Sequence, residues 1–332
     1  MRKVDLIYLR DTLKKYGSNL EKINVDMYPE VKVNKEGTSL VDVYGNNIGT
    51  KGDMYQKIML DKILQEGCLD KNPRPVYADN LPAHTLSIND SFSFIYDLSK
   101  GESPLVTLRP IATKSAIGEI LWIYQKESND LEVLKNNFGV TWWDEWDLGN
   151  RTIGSVYGET VRRHELVKNL IEGIEKNPDG RRHIISLWQE DDFKEPHGLK
   201  PCAFLTQWNV RHARDGKDYL DLTLVQRSSD FCTAGCINQV QYTAFLYFMA
   251  KHLGYNPGFF VWKPTNVQIY DRHINQAIEL LYREPVKCNP KFVVNEDKDN
   301  FYDFTQDDIK MDGYPRQLIK EKNPQLNFPL GI

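Results

Sequence analysis

Residues 238–252 constrain the fold more than any other stretch of the chain. Aromatic and small side chains occupy nearly every face of the helix they predict, so this helix has no side to offer water and must be buried. Strand-like runs at 183–188, 204–210 and 219–225 lead up to it, and another at 259–267 follows. Thr85 to Ile88, continued through Phe92, Phe94 and Tyr96, alternates as one further strand. Helical spacing marks Tyr55, Ile58, Met59, Ile63 and Leu64, with Gly67 as the stop. It also marks 114–125, 273–282 and 164–175, the last ended by the turn Asn177-Pro178-Asp179-Gly180. Strands crowd the middle of the chain and helices are interspersed without regular alternation, which predicts an α+β protein on a mixed sheet. No G-x-G-x-x-G joins a strand to a helix, so a dinucleotide-binding fold is disfavoured.

The 332 residues have room for two average domains or one large one, and 41% hydrophobic with 27% charged residues is an ordinary globular composition. A net charge of -4 gives no general attraction to nucleic acid or to an acidic membrane. Any bound anion must therefore be held by a local cluster of arginines, which points to a small anionic ligand. No apolar run reaches membrane-spanning length and no signal-peptide core follows Met1-Arg2-Lys3-Val4-Asp5, so a cytoplasmic location is expected. Cys68, Cys202, Cys232, Cys236 and Cys288 are too sparse for a disulfide scaffold and read as free thiols. The Cys232–Cys236 spacing, without paired histidines nearby, is poor for zinc, and no metal is expected. Residues 1–50 read as an N-terminal extension of unknown role, and residues 51–332 as a single catalytic domain.

The segment from Leu199 to Asn238 holds residue types that act together. Cys202 stands between a proline and the start of a strand; alone, a cysteine is usually a small buried hydrophobe. A nearby cation would make it a nucleophile, and Arg227, in Gln226-Arg227-Ser228-Ser229-Asp230, is the candidate on a neighbouring strand. Arg181 and Arg182 immediately precede the apolar strand at 183–188, and their forked guanidiniums suit a phosphate. The Asn238 carboxamide offers one acceptor and one donor, enough to read the edge of a flat heterocycle, although a helix N-cap is the competing role. Glu119 is a lone acid in the apolar run Ile117-Gly118-Glu119-Ile120-Leu121-Trp122, where burial would raise its pKa into a range useful for proton transfer.

These motifs, with Gln268-Ile269-Tyr270-Asp271-Arg272-His273 and the terminal Pro329-Leu330-Gly331-Ile332, resemble the thymidylate synthase family from about Asp53 to Ile332. The resemblance implies a mixed sheet covered by helices on one face, with the other face packed against a second copy in a homodimer. It implies reductive methylation of deoxyuridine monophosphate (dUMP), with 5,10-methylenetetrahydrofolate as one-carbon and hydride donor. Cys202 would add to C6 of uracil, with Glu119, Tyr157, Arg227 and Asn238 as the other catalytic groups. Arg74, Arg227, Ser228, Gln268 and Tyr270 would bind substrate, and Arg181 and Arg182 would reach the other subunit's site. Trp143, Asp230, Arg109 and Ile332 would face the folate, with Trp146 beside Trp143. The chain departs from the family pattern at Ala203 and Gln268, where histidines are common. It also departs at Thr233-Ala234-Gly235-Cys236-Ile237, which lines the folate pocket. Two rival readings stand beside this one: a nucleotide hydroxymethylase, in which water replaces hydride and which the altered 233–237 segment keeps open, and a non-catalytic nucleotide- or RNA-binding relative that kept the fold.

Overall fold

A computed structural model describes Asp11, Lys14 and residues 30–332 except Ser91. A hairpin of β1 (Leu40–Val41) and β2 (Asn47–Ile48) precedes helix α1 (Lys51–Glu66) and strands β3 (Cys68–Leu69), β4 (Thr85–Ile88) and β5 (Phe94–Asp97). Helices α2 (Thr113–Tyr124), α3 (Leu131–Phe138), α4 (Gly158–Arg163) and α5 (Leu166–Lys176) come next. Strands β6 (Ile184–Ser186), β7 (Ala203–His212), β8 (Asp218–Gln226) and β9 (Ser229–Asp230) lead into α6 (Ala234–Leu253). The chain continues through β10 (Asn256–Pro264), β11 (Val267–Tyr270), α7 (Ile274–Tyr282), β12 (Lys291–Val294), β13 (Ile309–Asp312) and α8 (Arg316–Lys322).

The main sheet has five strands in the order β5–β10–β8–β7–β6, with only β10–β8 parallel. The period-2 alternation sends Trp208, Leu222, Leu224, Phe260 and Trp262 to one face, where none is exposed. Helix α6 lies on that face against β8 and β10 and is covered in turn by α2. It is the buried helix expected: Val240, Phe245, Phe248 and Met249 are all inaccessible, while Asn238, Tyr247 and its last turn are half-buried. The opposite face leaves Leu205, Thr223, Val225, Phe259 and Val261 half-buried and Ile95 and Ile184 exposed. A second sheet, β3–β4–β11–β9, stands beside the first, and a hairpin of β12 and β13 completes the strands.

Two sequence expectations are corrected. Residues 85–96 are not one strand: β4 belongs to the small sheet and β5 to the large one. Residues 259–267 likewise divide between β10 and β11, one in each sheet. Pro264, which cannot donate a ladder hydrogen bond, ends β10. Asn266 then donates its side-chain amide to Asn89 Oδ1, tying the two crossings together. Alternation has the same period in both sheets, so it carries no mark of the switch.

Helix α1 is anchored by Asp53. Thr50 Oγ accepts from Asp53 N–H, and the Asp53 carboxylate accepts from Thr50 N–H (2.9 Å) in a capping box. The same carboxylate accepts from Thr107 N–H (2.5 Å) and Thr107 O–H (2.8 Å). Replacing Asp53 with alanine removes the cap and strands buried donors, and should lower stability by about 3 kcal/mol. The shift of the urea unfolding midpoint measures it.

Candidate active site

The end of the β7–β8 ladder brings Cys202 and Arg227 together. Ala203 pairs with Gln226, which sets Cys202 opposite Arg227, and Arg227 N–H donates to Cys202 C=O at 2.9 Å. The register shifts between Ala203 and Leu205, a bulge that re-aims the strand just beyond Cys202. The Arg227 guanidinium donates to the carbonyls of Pro201 and Lys200, each at 2.8 Å, and rests over Trp188. Burial pushes the Cys202 thiol above its ordinary pKa, while the charges of Arg227 and then Arg74 pull it down. The expected lowering by Arg227 is thus present but outweighed by desolvation.

Asn238 lies in the second turn of α6, which begins at Ala234, so it is not the N-cap; Thr233 holds that position. Its carboxamide belongs to a directed relay. Trp262 Nε1 donates to Gln226 Oε1 (2.8 Å), Gln226 Nε2 to Asn238 Oδ1 (2.9 Å), and Asn238 Nδ2 to Gln241 Oε1 (2.9 Å). An indole N–H only donates, so the orientation of every amide downstream is set. Asn238 keeps one lone pair and one N–H for a ligand, its acceptor and donor already aimed.

Gln241 Nε2 and Trp143 Nε1 are buried donors without a hydrogen-bond partner, and both lie close enough to Glu119 to lower its pKa. Trp142 Nε1 donates to the Glu119 carboxylate directly. Burial nevertheless prevails and raises Glu119 to about 7. The contacts of Trp142, Gln226 and Gln241 with Glu119 and Asn238 are not expected from the sequence. The Trp142-Trp143 doublet was the available signal for the first; nothing local marks the glutamines.

Tyr157 sits at φ 53°, a strained conformation for a residue with a side chain. The turn holding it is set by glycines at both ends. A Cβ on Gly154 would meet Pro196 O at 2.2 Å, and one on Gly158 would meet Ser128 O at 2.1 Å. Ser155 donates to Glu195 at 2.6 Å, and Arg163 holds that carboxylate. Tyr157 O–H accepts from Cys202 N–H at 3.3 Å, and its ring meets Trp143 edge-on at 4.8 Å, with Trp146 beyond at 5.4 Å. Burial, and then the thiol, push the phenol well above its ordinary pKa, so it is a standing neutral group.

Ser228 O–H donates to Gln268 Oε1 at 3.5 Å. Gln268 in turn is paired with Asp230 in the small sheet. Asp230 accepts from Cys232 N–H at 3.2 Å and from Thr233 O–H at 2.5 Å, so the unusual Thr233 grips a carboxylate read as folate-facing. Tyr270 O–H donates to Gly331 C=O at 3.3 Å beside the terminal Ile332. Arg74 lies within electrostatic reach of both Cys202 and Tyr270. Arg109 is buried and spends Nη2 on the carbonyls of Cys232 (2.8 Å) and Thr233 (3.1 Å) and on Cys236 Sγ (3.0 Å), while Nη1 donates to Pro110 C=O. Its visible work is to brace segment 232–236, not to project toward a ligand. Arg181 and Arg182 are exposed at the entrance to β6 and line a cleft with Asn169, Asn177 and Asp179.

A family model described as thymidylate synthase matches residues 53–323. A thymidylate synthase of Streptococcus pneumoniae is 46% identical over 285 residues, covering 85% of this chain and all of the relative. One from Streptococcus agalactiae serotype Ia is 45% identical over the same length and coverage. Among solved structures, the thermostable thymidylate synthase A from Bacillus subtilis is similar, with TM-score 0.76 and 31% identity. That alignment covers 85% of this chain and 99% of the other.

The Glu119 carboxyl binds its proton more tightly folded than unfolded, since about 7 replaces an ordinary 4.5. The folded state therefore holds more protons between those values, and stability falls as pH rises through that window. Glu119→Gln should remove this slope and exceed the parent in stability at pH 8 by about 3 kcal/mol. Denaturation midpoints at pH 5 and pH 8 check the sign; an unchanged difference would leave Glu119 unperturbed.

Proposed function

This chain belongs to the thymidylate synthase family, and from that premise we propose which of its residues carry out the methylation of dUMP to thymidylate. The observation that carries the assignment is the convergence of Cys202, Arg227, Asn238 and Glu119 on one end of the β7–β8 ladder. Cys202 adds to C6 of the uracil ring after losing its proton, with Arg227 and Arg74 supplying the positive field that favours thiolate. Negative charge then develops at O4. Asn238 Nδ2 donates to O4, and Asn238 Oδ1 accepts from N3–H. The relay from Trp262 prevents the amide flip that would suit cytosine instead. Glu119, near 7, gives or takes a proton at neutral pH, and the unpartnered donors Gln241 Nε2 and Trp143 Nε1 flank it.

5,10-Methylenetetrahydrofolate supplies the one-carbon unit and the hydride. Trp143 with Trp146 offers an aromatic wall and Asp230 a carboxylate for a pterin N–H, a donor set that fits a reduced folate. Arg109 serves this side by holding segment 232–236 in place. Tyr157, neutral and hydrogen-bonded at Cys202, assists loss of the C5 proton as a relay. Arg227, Ser228 and Arg74 take the phosphate, Gln268 and Tyr270 the sugar, and Ile332 closes over the ligands.

A homodimer follows from the half-exposed apolar face of the main sheet and from Arg181 and Arg182, exposed yet fixed by β6. In this arrangement the two arginines serve the neighbouring subunit's phosphate. Residues 1–50, of which 1–29 other than Asp11 and Lys14 lie outside the described residues, are an N-terminal extension of unknown role ahead of a single catalytic domain of residues 51–332, and the protein works in the cytoplasm. Among the described residues no helix is long and apolar enough to cross a membrane.

Incubation with dUMP and methylenetetrahydrofolate should give a nucleotide heavier by a methyl group, with dihydrofolate appearing. A hydroxymethyl product with tetrahydrofolate left over would sink the reductive assignment. Cys202→Ser should cut kcat by at least about 1000-fold, and near-normal turnover would remove the nucleophile. Mixing inactive Cys202→Ser with an inactive Arg181→Ala/Arg182→Ala double variant should restore activity in hybrid dimers, where one site receives neither lesion. No recovery after subunit exchange would place both arginines outside the partner's site.

A further inference from the structure

Arg74 lies in a stretch, residues 70–84, that has little regular structure to hold it. What holds it is Tyr77. This side chain is 3% exposed and forms, with Ala83 and Tyr270, a small core separate from the main one. Its hydroxyl donates to Asp271 Oδ1 and accepts from Arg272 N–H at 3.4 Å. The Arg272 guanidinium covers the Tyr77 ring at 3.9 Å and reaches Asp79 at 2.8 Å, closing the loop from its far side.

The chain terminus joins the same cluster. Val76 and Ile332 exchange two backbone hydrogen bonds, each 2.9 Å. Tyr270 O–H donates to Gly331 C=O, and His273 Nε2 lies 2.6 Å from Pro329 C=O. A Cβ on Gly331 would come within 2.5 Å of Ala83 and 2.9 Å of the Tyr270 ring, so the terminal strand passes only because that residue has none. Arg74, two residues before Val76, therefore shares one packed unit with Tyr270 and Ile332.

We propose that Tyr77, latched to Asp271, is a positioning residue that holds Arg74 and the terminal segment Pro329–Ile332 in place beside Tyr270. This rests on the reading of Arg74 as a phosphate ligand and Tyr270 as a sugar ligand. Tyr77 itself touches no substrate. Its hydroxyl bonds a buried carboxylate, and losing such a bond frees the loop to sample positions in which Arg74 points elsewhere.

The test uses the full chain and steady-state kinetics with varied dUMP. Tyr77→Phe should raise KM for dUMP on the order of tenfold and lower kcat less, while the thermal unfolding midpoint shows the protein folded. Because Tyr77 acts through Arg74, Tyr77→Phe/Arg74→Ala should have a KM within about twofold of Arg74→Ala alone. Asp271→Asn, which keeps an acceptor for the hydroxyl, should raise KM less than Asp271→Ala does, and that pair decides the matter if Tyr77→Phe does not fold. Additive effects overturn the coupling, as does an unchanged KM in Tyr77→Phe where Arg74→Ala raises it. An unchanged KM in Arg74→Ala removes the phosphate role of Arg74 itself, and the coupling with it.

Discussion

The antiparallel pairing of β7 with β8 is the constraint on which the site depends. It sets Cys202 across from Arg227, and a bulge one residue later turns the strand away. The guanidinium does not float as a surface charge; it is forked onto the two carbonyls that precede the thiol. A cation tied to its neighbour's backbone keeps its distance from that neighbour whatever the side chains around it do. Helix α6, largely buried, then sets Asn238 against Gln226, the last residue of β8. Every later feature of the site builds on that ladder end.

A common electrostatic condition runs through the pocket. Cys202, Tyr157 and Glu119 are all pushed toward their protonated forms, each chiefly by burial. At rest Cys202 and Tyr157 are neutral and Glu119, near 7, is only partly ionised, so burial reduces the negative charge these three groups present to a phosphorylated ligand. Charge has to be created by proton movement at the moment it is needed, in surroundings that strengthen every fixed dipole. Glu119, near 7, is the group best placed to exchange a proton with solvent-derived acids or bases at neutral pH.

The segment that departs from the family pattern has internal compensation. Thr233 bonds Asp230, and Arg109 stitches the carbonyls of Cys232 and Thr233 and the Cys236 sulfur to the body of the protein. A Cβ added at Gly235 would meet the Phe231 ring at 2.9 Å, too close to be tolerated. Residue type and position alone place Arg109 at the folate side, while the carbonyls it holds lie more than a hundred residues away in sequence, where no local pattern shows them.

How much was legible follows from how local each determinant is. Helix α1, helix α6 and strands β7 and β8 were readable because side-chain period is a local property of a packed surface, and their observed ends lie within a few residues of those expected. The motif residues Cys202, Arg227 and Asn238 were readable because their chemistry is unusual in its order along the chain. The switch of strands between two sheets was not, since both sheets impose the same alternation. Nor was the proton state of the thiol, in which desolvation outweighs the arginine that sequence alone could see. By itself, then, the sequence determined the elements and the reactive groups they carry, through periodicity and side-chain chemistry. Only the tertiary structure decided register, burial and the partners of Tyr77, Arg109 and Gln226, because those depend on distances between residues that no local pattern records.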